Sequence, residues 1–430
     1  MSTRNPEPGT RNREAEPGTR NCMAVAMLDL TGKRVVVVGL ARSGEAACRL
    51  LLKRGASVIG TDQRGERELD ADLDGLERDG VILELGGHPP DRLLSADLIV
   101  VSPGVDLRGP LFQRVRAAGI PLIGEVELAF RCSQATFLGV TGTNGKSTTT
   151  TLLGAILKEA GLPSHVAGNI GTPLCEVAPG LSAGNLVVTE LSSFQLETID
   201  RFRPHVGLLL NLAPDHLDRY DGVEDYYQAK ARIFENQAPS DVAVVNADDP
   251  MVLDAARKAV AKRVAFSRRQ RLAEGAYLDA DQLIVALSGT RETICRWNEV
   301  RIQGVHNLEN ALAASLAAAL VGAPTKAIRR GLIRFEGLEH RLEFVAEVDG
   351  VQYVNDSKGT NVGAVARSLE SFTVPLVLIA GGQDKMSDFT PLAPLVRERV
   401  KRLILIGQAA AKLQAQLDGV CAMEEAGSLE

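Results

Sequence analysis

The sequence predicts an α/β protein of three domains built on largely parallel sheets. Short runs of Val, Ile and Leu end at a glycine or a polar residue, as strands buried on both faces do. These runs alternate with segments of helical texture, the pattern of parallel strands joined by crossover helices. The chain has 430 residues, which at about 150 per domain leaves room for three units.

The first unit spans residues 27–124. Lys33–Gly39 is a buried strand closed by a glycine turn, and Glu45–Arg54 is the helix that follows it. Ala56–Asp62 and Asp97–Ser102 are further strands, Ile120–Pro121 opens a short one, and Gly124 begins the crossing into the second unit. That unit, 125–336, starts with the strand Thr136–Thr141, a loop, and the helix Lys146–Ala160. Asn185–Glu190, Val206–Asn211 and Val242–Asn246 are its other buried strands, and Val223–Gln237 is a helix. Residues 275–303 read as short antiparallel strands, and Asn307–Val321 as an Ala-rich helix stopped by Gly322. The third unit, 337–430, has strands Val351–Asn355, Leu376–Ile379 and Leu403–Ile406 and ends after an acidic stretch of helical texture. Residues 1–26 contain Glu-Pro-Gly-Thr-Arg-Asn twice, at 7–12 and 16–21. Such a polar repeat has no apolar face to bury and reads as a disordered tail, with Met23 or Met27 the expected start.

Composition removes several classes. Hydrophobic residues make up 45% and charged residues 24%, which excludes a wholly disordered chain. Aromatics are only 4%, too few for a base-stacking platform, and the net charge of −6 gives no general attraction to nucleic acid or anionic membranes. No apolar run reaches the ~20 residues of a membrane span, and no secretory signal opens the chain. The six cysteines lack any C-x-x-C pair, so reduced thiols in a cytoplasmic protein are expected, rather than disulfides or a zinc knuckle. A monomer is the expectation.

The strongest motif is Gly142-Thr143-Asn144-Gly145-Lys146-Ser147-Thr148, set between an apolar strand and a helix. Glycines let backbone N–H groups turn inward, and the helix N-terminus adds positive potential, so the loop suits phosphates. Lys146 can bridge the outer phosphates and Ser147 can ligate Mg²⁺. The strict phosphate-loop pattern fails at its first position, which is Val140. Gly39-Leu40-Ala41-Arg42-Ser43-Gly44 imitates a dinucleotide turn, with Ala41 in place of the second glycine and Asp62 ending the next strand. Glu190, His216 and Lys230 follow successive strands of the second unit. Each alone reads as a surface or loop residue; together they suggest a site. Glu190 and Ser147 offer the oxygen ligands Mg²⁺ prefers, whereas a lysine ammonium coordinates no cation unless it becomes an anionic carbamate.

The stretches T-G-T-N-G-K-S-T (141–148), G-N-I-G (168–171), E-L-S-S-F-Q-L-E (190–197), D-H-L-D-R-Y (215–220), A-K-A-R-I-F (229–234), H-N-L-E-N-A (306–311), G-L-E-H-R-L-E (337–343), N-D-S-K-G-T-N (355–361) and G-G-Q-D-K (381–385) occur in the order found in the Mur ligases, which this sequence resembles. The resemblance implies a Rossmann-like N-terminal domain for a uridine nucleotide, a central phosphate-loop ATPase-like domain and an incomplete Rossmann-like C-terminal domain for an amino acid. It implies ATP-dependent ligation of D-glutamate to UDP-N-acetylmuramoyl-L-alanine through an acyl phosphate, with two Mg²⁺ ions. By position, Lys146 and Ser147 would hold phosphates and metal, with Glu190, His216 and a carbamylated Lys230 as the other metal ligands. Asn307, Asn310, Arg341 and Asp356 would hold the adenosine part, and Lys358, Thr360 and Lys385 D-glutamate. Asn169, Ser192 and Ser193 would line the muramoyl channel, and Arg42, Ser43, Gly44, Asp62 and Gly104 would face the uridine diphosphate. The family also carries a further strand and a Ser/Phe-bearing loop that have no counterpart before residue 430. The third sheet is therefore expected to lack an element, and the chain to bind its nucleotide substrate but turn over slowly. A folylpolyglutamate-synthetase-like ligase and a nucleotide-binding module without catalysis are the alternatives.

Overall fold

The computed structural model describes residues 27–217, 219–302, 304–383 and 387–428. The N-terminal repeat and Lys385 lie outside the described residues. The first sheet contains β1 (Arg34–Val38), β2 (Ser57–Asp62), β3 (Ile82–Leu85), β4 (Leu98–Val101) and β5 (Leu122–Gly124). Its order is β3-β2-β1-β4-β5, every pair parallel. The connecting helices are α1 (Arg42–Lys53), α2 (Leu73–Asp79), α3 (Pro90–Leu94) and α4 (Pro110–Ala117). The strand order reverses between β1 and β4, so the loops after these two strands diverge and open a crevice at their carboxyl ends. Gly39 and Gly104 stand on those two loops, and Arg42 opens α1 beside them.

Helix α5 (Glu125–Arg131) leads to a nine-stranded sheet. Its strands are β6 (Thr136–Thr141), β7 (Ser164–Gly168), β8 (Leu186–Glu190), β9 (Val206–Leu209), β10 (Val242–Asn246), β11 (Lys262–Ser267), β12 (Gly275–Asp279), β13 (Gln282–Leu287) and β14 (Thr290–Arg296). They are ordered β14-β13-β12-β11-β10-β9-β6-β8-β7, parallel except for the β12-β13-β14 meander. Helices α6 (Lys146–Glu159), α7 (Leu174–Val177), α8 (Ser193–Leu196), α9 (Val223–Ala231), α10 (Pro250–Ala255), α11 (Val305–Leu320) and α12 (Thr325–Arg334) complete this unit. The alanines of α11 let it lie close to the sheet, and Ala311, Ala313, Ala314, Ala317 and Ala318 are all fully buried with Leu152 and Ile156 of α6. Phe130, Phe137 and Phe202 meet edge to face at 5.4–5.7 Å where the first unit joins the second.

Beyond α12, β15 (Glu343–Val348) and β16 (Val351–Asn355) form a hairpin, and β17 (Leu376–Gly381), β18 (Val400–Ile406) and β19 (Ala422–Glu425) a parallel sheet. Helices α13 (Val362–Glu370), α14 (Ala393–Arg399) and α15 (Ala410–Gln416) cover one face of it, burying Leu369, Val396, Leu403, Leu405 and Leu413. The other face is open: Val377 and Ile379 are more than half exposed, as are Phe344, Val345, Val348, Val351 and Tyr353 on the hairpin. The acidic terminal stretch, read from sequence as helical, is strand β19, where Glu424 and Glu425 point from the outermost strand of the sheet. The helix expected over Val223–Gln237 stops at Ala231 and tightens into a 3₁₀ turn at Arg232–Phe234.

Two carboxylates of α5 are buried. Glu127 accepts from the backbone N–H groups of Asp200, Arg201 and Phe202 and pairs with Arg131. Glu125 accepts from the Cys175 N–H at 2.6 Å, and burial, reinforced by Glu176, pushes its carboxyl up to about 7. In the unfolded chain the same group loses its proton near its ordinary 4.5. Between these values the folded state holds the extra proton, so stability falls as pH rises from about 4.5 to about 7 and levels off above. Glu125→Gln, which keeps the carbonyl acceptor, is expected to remove that slope and raise stability at pH 8 by up to about 3 kcal/mol. Urea melts of both proteins at pH 5 and pH 8 check this; parallel pH dependences would refute it.

Candidate active site

The carboxyl ends of three adjacent strands, β8, β6 and β9, define the centre of the second unit. The loop after β6 turns through Gly142 (φ 150°) and Gly145 (φ 83°), conformations that exclude most side chains. Lys146 opens α6 and bends back to donate to the carbonyls of Gly142 at 3.0 Å and Thr143 at 2.9 Å. Asn211, just past β9, clamps the loop from the other side. Its Oδ1 accepts from the Asn144 N–H at 2.9 Å, and its Nδ2 donates to the Asn144 carbonyl at 3.0 Å. The Thr143 hydroxyl exchanges hydrogen bonds with Ala213, tying the phosphate loop to the loop that carries His216. Ser147 and Thr148 are buried at the helix start, which points N–H groups into the cradle.

A methyl group at Gly145 would come within 2.3 Å of Asn310 Oδ1. Gly145→Ala also strains a left-handed residue by about 1–3 kcal/mol, so ATP affinity is expected to fall roughly ten- to a hundredfold. Calorimetric titration with an ATP analogue measures it, and wild-type affinity would show that the loop does not hold the nucleotide.

Beside the cradle, Glu190 ends β8 with only 2% of its surface exposed. Its Oε1 accepts from Asn169 Nδ2 at 2.8 Å, while Oε2 is buried with no hydrogen-bond partner among the described residues. An oxygen held in place and left unpaired in a buried site fits a divalent cation. His216 sits in the left-handed region (φ 54°), packed on Phe194 and Tyr226. Strain of this kind in a non-glycine residue collects at functional sites. Lys230, on α9, is 1% exposed with its ammonium over the Tyr226 ring at 4.6 Å. Burial, and the charge of Lys146 nearby, push Lys230 well below the usual lysine range. Lys146 is lowered for the same first reason, burial, opposed by Glu190. Among the described residues, no group of three or more His, Cys, Asp or Glu side chains stands ready to hold a metal ion, so the unpaired Glu190 oxygen is the one feature here that favours a cation.

A narrow cleft adjoins the loop, lined by Asn144, Gly145, Asn307, Asn310, Arg341 and Asp356 among others. The four residues expected around adenosine therefore line one cleft. The structure ties them together: Asn310 Nδ2 donates to Asn307 Oδ1, and Thr149 donates to Asn310 Oδ1. Arg341 Nη2 donates to Ser147 Oγ at 3.1 Å, bringing the third unit onto the phosphate loop. His306 also lines this cleft, and burial together with Arg367 and Arg341 pushes its imidazole down to about 4, so it is neutral there.

The residues expected at the uridine end gather around the switch-point crevice. Arg42 reaches out to donate to the Gly171 carbonyl at 2.8 Å, joining the first unit to the G-N-I-G loop. Gly44 must be glycine, because a methyl group there would lie 1.8 Å from the Gly39 carbonyl oxygen. Ser43 stands beside it in the first turn of α1. Asp62 accepts from the Leu40 N–H and is paired with Arg64; burial pushes its carboxyl up, but the hydrogen bonds from Arg64 and Leu40 outweigh this and hold it down at about 2. Gly104 accepts from Arg219, whose guanidinium also lies 4.7 Å from the Phe194 ring centre.

Not every expected residue converges. Ser192 caps α8 in a reciprocal capping box with Gln195, and Ser193 is buried behind it, so the Ser192 hydroxyl already has a structural partner. Lys358 and Thr360 are exposed. Asp356 bonds the Leu342 N–H and Ser368, which anchors its own loop as well as lining the cleft. Sequence reasoning gave no role to Asn211, His306, Asp215 or Asn361. Asn211 ends the run VGLLLN beside the phosphate strand, and the other three lie in the stretches 306–311, 215–220 and 355–361.

A phosphate cradle beside an unpaired acid, with three α/β units closing on it, defines an ATP-dependent amide-bond-forming ligase, and the chain belongs to the Mur ligase family. Three family descriptions match: "Mur ligase MurD-like, N-terminal domain" over residues 33–124, "Mur ligase middle domain" over 140–318 and "Mur ligase, glutamate ligase domain" over 340–429. The particular relatives it resembles are UDP-N-acetylmuramoylalanine–D-glutamate ligases. It is 48% identical to that of Pelotomaculum thermopropionicum over 89% of this chain and 84% of the relative. With that of Geotalea daltonii it shares 47% over 94% and 89%. Among solved structures, a pseudomurein peptide ligase type C from Methanothermus fervidus matches with a TM-score of 0.59 at 21% identity, covering 93% of this chain and 90% of the other. The UDP-N-acetylmuramate–alanine ligase of Thermotoga maritima matches with a TM-score of 0.56 at 18% identity, covering 92% and 91%. These two share the fold. Among the described residues, no helix is long and apolar enough to cross a membrane.

Proposed function

We propose that this chain joins D-glutamate to UDP-N-acetylmuramoyl-L-alanine at the expense of ATP, a step of peptidoglycan precursor synthesis. The observation that supports the reading is the cleft shared by the phosphate loop and the third unit, together with the charge coupling of Lys146 on that loop to Glu190 and Lys230. The relatives at 43–48% identity act on these substrates by name.

A carboxylate is a poor acyl donor because its oxygen leaves badly. Transfer of the ATP γ-phosphoryl group to that oxygen makes an acyl phosphate and releases ADP. The amine of D-glutamate then attacks the carbonyl carbon, loses a proton, and phosphate departs with the C–O bonding pair. Negative charge spreads over the transferring phosphoryl oxygens. Lys146 lies where it can exchange its two carbonyl partners for those oxygens, and the N–H groups at the start of α6 face the same charge. Mg²⁺ held by Ser147, Glu190 and His216 would supply further charge neutralisation. Asn169 orients Glu190 for that role. Burial favours the uncharged form of Lys230; an uncharged amine can add to CO₂, and loss of a proton would then give a carbamate, which supplies the anionic oxygen an amine lacks. Burial around these groups excludes water that would hydrolyse the acyl phosphate.

The deciding experiment incubates the purified chain with ATP, Mg²⁺ and each of three acceptors: UDP-muramoyl-alanine with D-glutamate, a folate with glutamate, and none. ADP release and amide product in the first arm alone support the proposal. Product in the folate arm, or nucleotide binding without product in any arm, would replace it with the corresponding alternative.

A further inference from the structure

The third unit comes down on the phosphate loop through Asn361, the last residue of the N-D-S-K-G-T-N stretch, to which the motif assigned no role. Asn361 precedes α13 and makes three hydrogen bonds with one carboxamide. Its Oδ1 accepts from the Ala364 N–H at 2.8 Å, capping the helix. Its Nδ2 donates to Asp215 Oδ2 at 3.0 Å and to Asn144 Oδ1 at 3.3 Å. Chemistry fixes this orientation. A backbone N–H only donates, so the atom facing Ala364 is oxygen; an ionised carboxylate only accepts, so the atom facing Asp215 is nitrogen. Turning the amide over would break both contacts together.

Both central-domain partners belong to the cradle. The Asn144 backbone is held by Asn211, and Asp215 precedes the strained His216, with its Oδ1 accepting the His216 N–H at 2.9 Å. Gly363, the second residue of α13, lies beside this contact: a methyl group there would meet Asn144 Nδ2 at 3.6 Å, an ordinary contact. One amide thus reads the positions of the phosphate loop and the His216 loop at once, and transmits them to the axis of α13.

We propose that Asn361 is a positioning residue that sets the register of the third unit over the phosphate loop. The amino-acid-binding end of that unit then reaches the acyl phosphate only when Asn144 and Asp215 hold the geometry shown here. This rests on the ligase reading above, because it assigns the third unit the delivery of the attacking amine. A cap alone would need only the Oδ1 contact; the two donor contacts across the unit boundary are what the register role requires.

Asn361→Asp separates the two roles. Aspartate still accepts from the Ala364 N–H and is as good a cap. It has no donor for Asn144, and it sets a like charge against Asp215. Asn361→Ala loses all three contacts. For register, Asn361→Asp should stay folded by circular dichroism, while kcat for ligation falls roughly 10²-fold and KM for D-glutamate rises. For capping alone, Asn361→Asp should match wild type and only Asn361→Ala should fall. A second measurement needs no turnover: small-angle X-ray scattering of the full chain with Mg²⁺ and a non-hydrolysable ATP analogue, where wild type should be more compact than Asn361→Asp. Wild-type kinetics and an unchanged radius of gyration for Asn361→Asp would overturn the proposal. If wild type makes no D-glutamate product yet the two proteins differ in compactness, the register role stands and the substrate assignment falls.

Discussion

Lys146→Ala is expected to lower substrate-dependent ADP release by roughly 10²–10³-fold, the range seen when a donor to a developing oxyanion is removed. The side chain is buried and held by two backbone carbonyls of its own loop, so it is already placed over the cradle. No search through solvent rotamers precedes the reaction, and truncation removes an interaction that strengthens as the phosphoryl group transfers. Binding of the uridine substrate should change little, since the first unit's crevice lies at β1 and β4, in the other sheet. Coupled-enzyme detection of ADP, with and without UDP-muramoyl-alanine, measures the effect. Full retention of release would remove the phosphate loop from the mechanism.

Lys230→Ala is expected to be nearly inactive and to regain part of its rate with formate or acetate. A small carboxylate can enter the space the side chain leaves and supply the anion that a carbamate would provide. The physical basis is the site's electrostatics: a cation here would be desolvated and would face Lys146, whereas an anion balances it. Lys230 also packs on Tyr226, so the variant is first checked for folding by circular dichroism. A folded Lys230→Ala protein with no rescue over a range of acid concentrations would refute the carbamate. Rescue that grows with bicarbonate in the wild type, and is absent in Lys230→Ala, would support it further.

How much of this was legible in the chain itself depended on the kind of physical signal. The parallel strands β1, β6, β8 and β9 are continuous apolar runs, because both faces are buried, and they stand out at once. Edge strands do not: β3 and β7 are short, partly exposed and mixed in composition, and neither was anticipated. The end of the chain was misread because Met423-Glu424-Glu425 has helix-favouring composition, while pairing with Arg402–Leu405 decides the outcome. Residues with a fixed chemical task, such as Lys146 and Glu190, followed from their position after a strand. Residues whose task is to hold another residue, such as Asn211 on Asn144 or Asn169 on Glu190, have no signature until the loops are folded. Ser192 has a task its motif did not announce: its hydroxyl accepts the Gln195 N–H and caps α8.

The stretch 211–220 touches every part of the molecule: Asn211 and Ala213 grip the phosphate loop, Asp215 meets Asn361, and Arg219 meets Gly104. A change at any one of these contacts is therefore expected to be felt in both nucleotide crevices, so two substrates that never touch would share one loop.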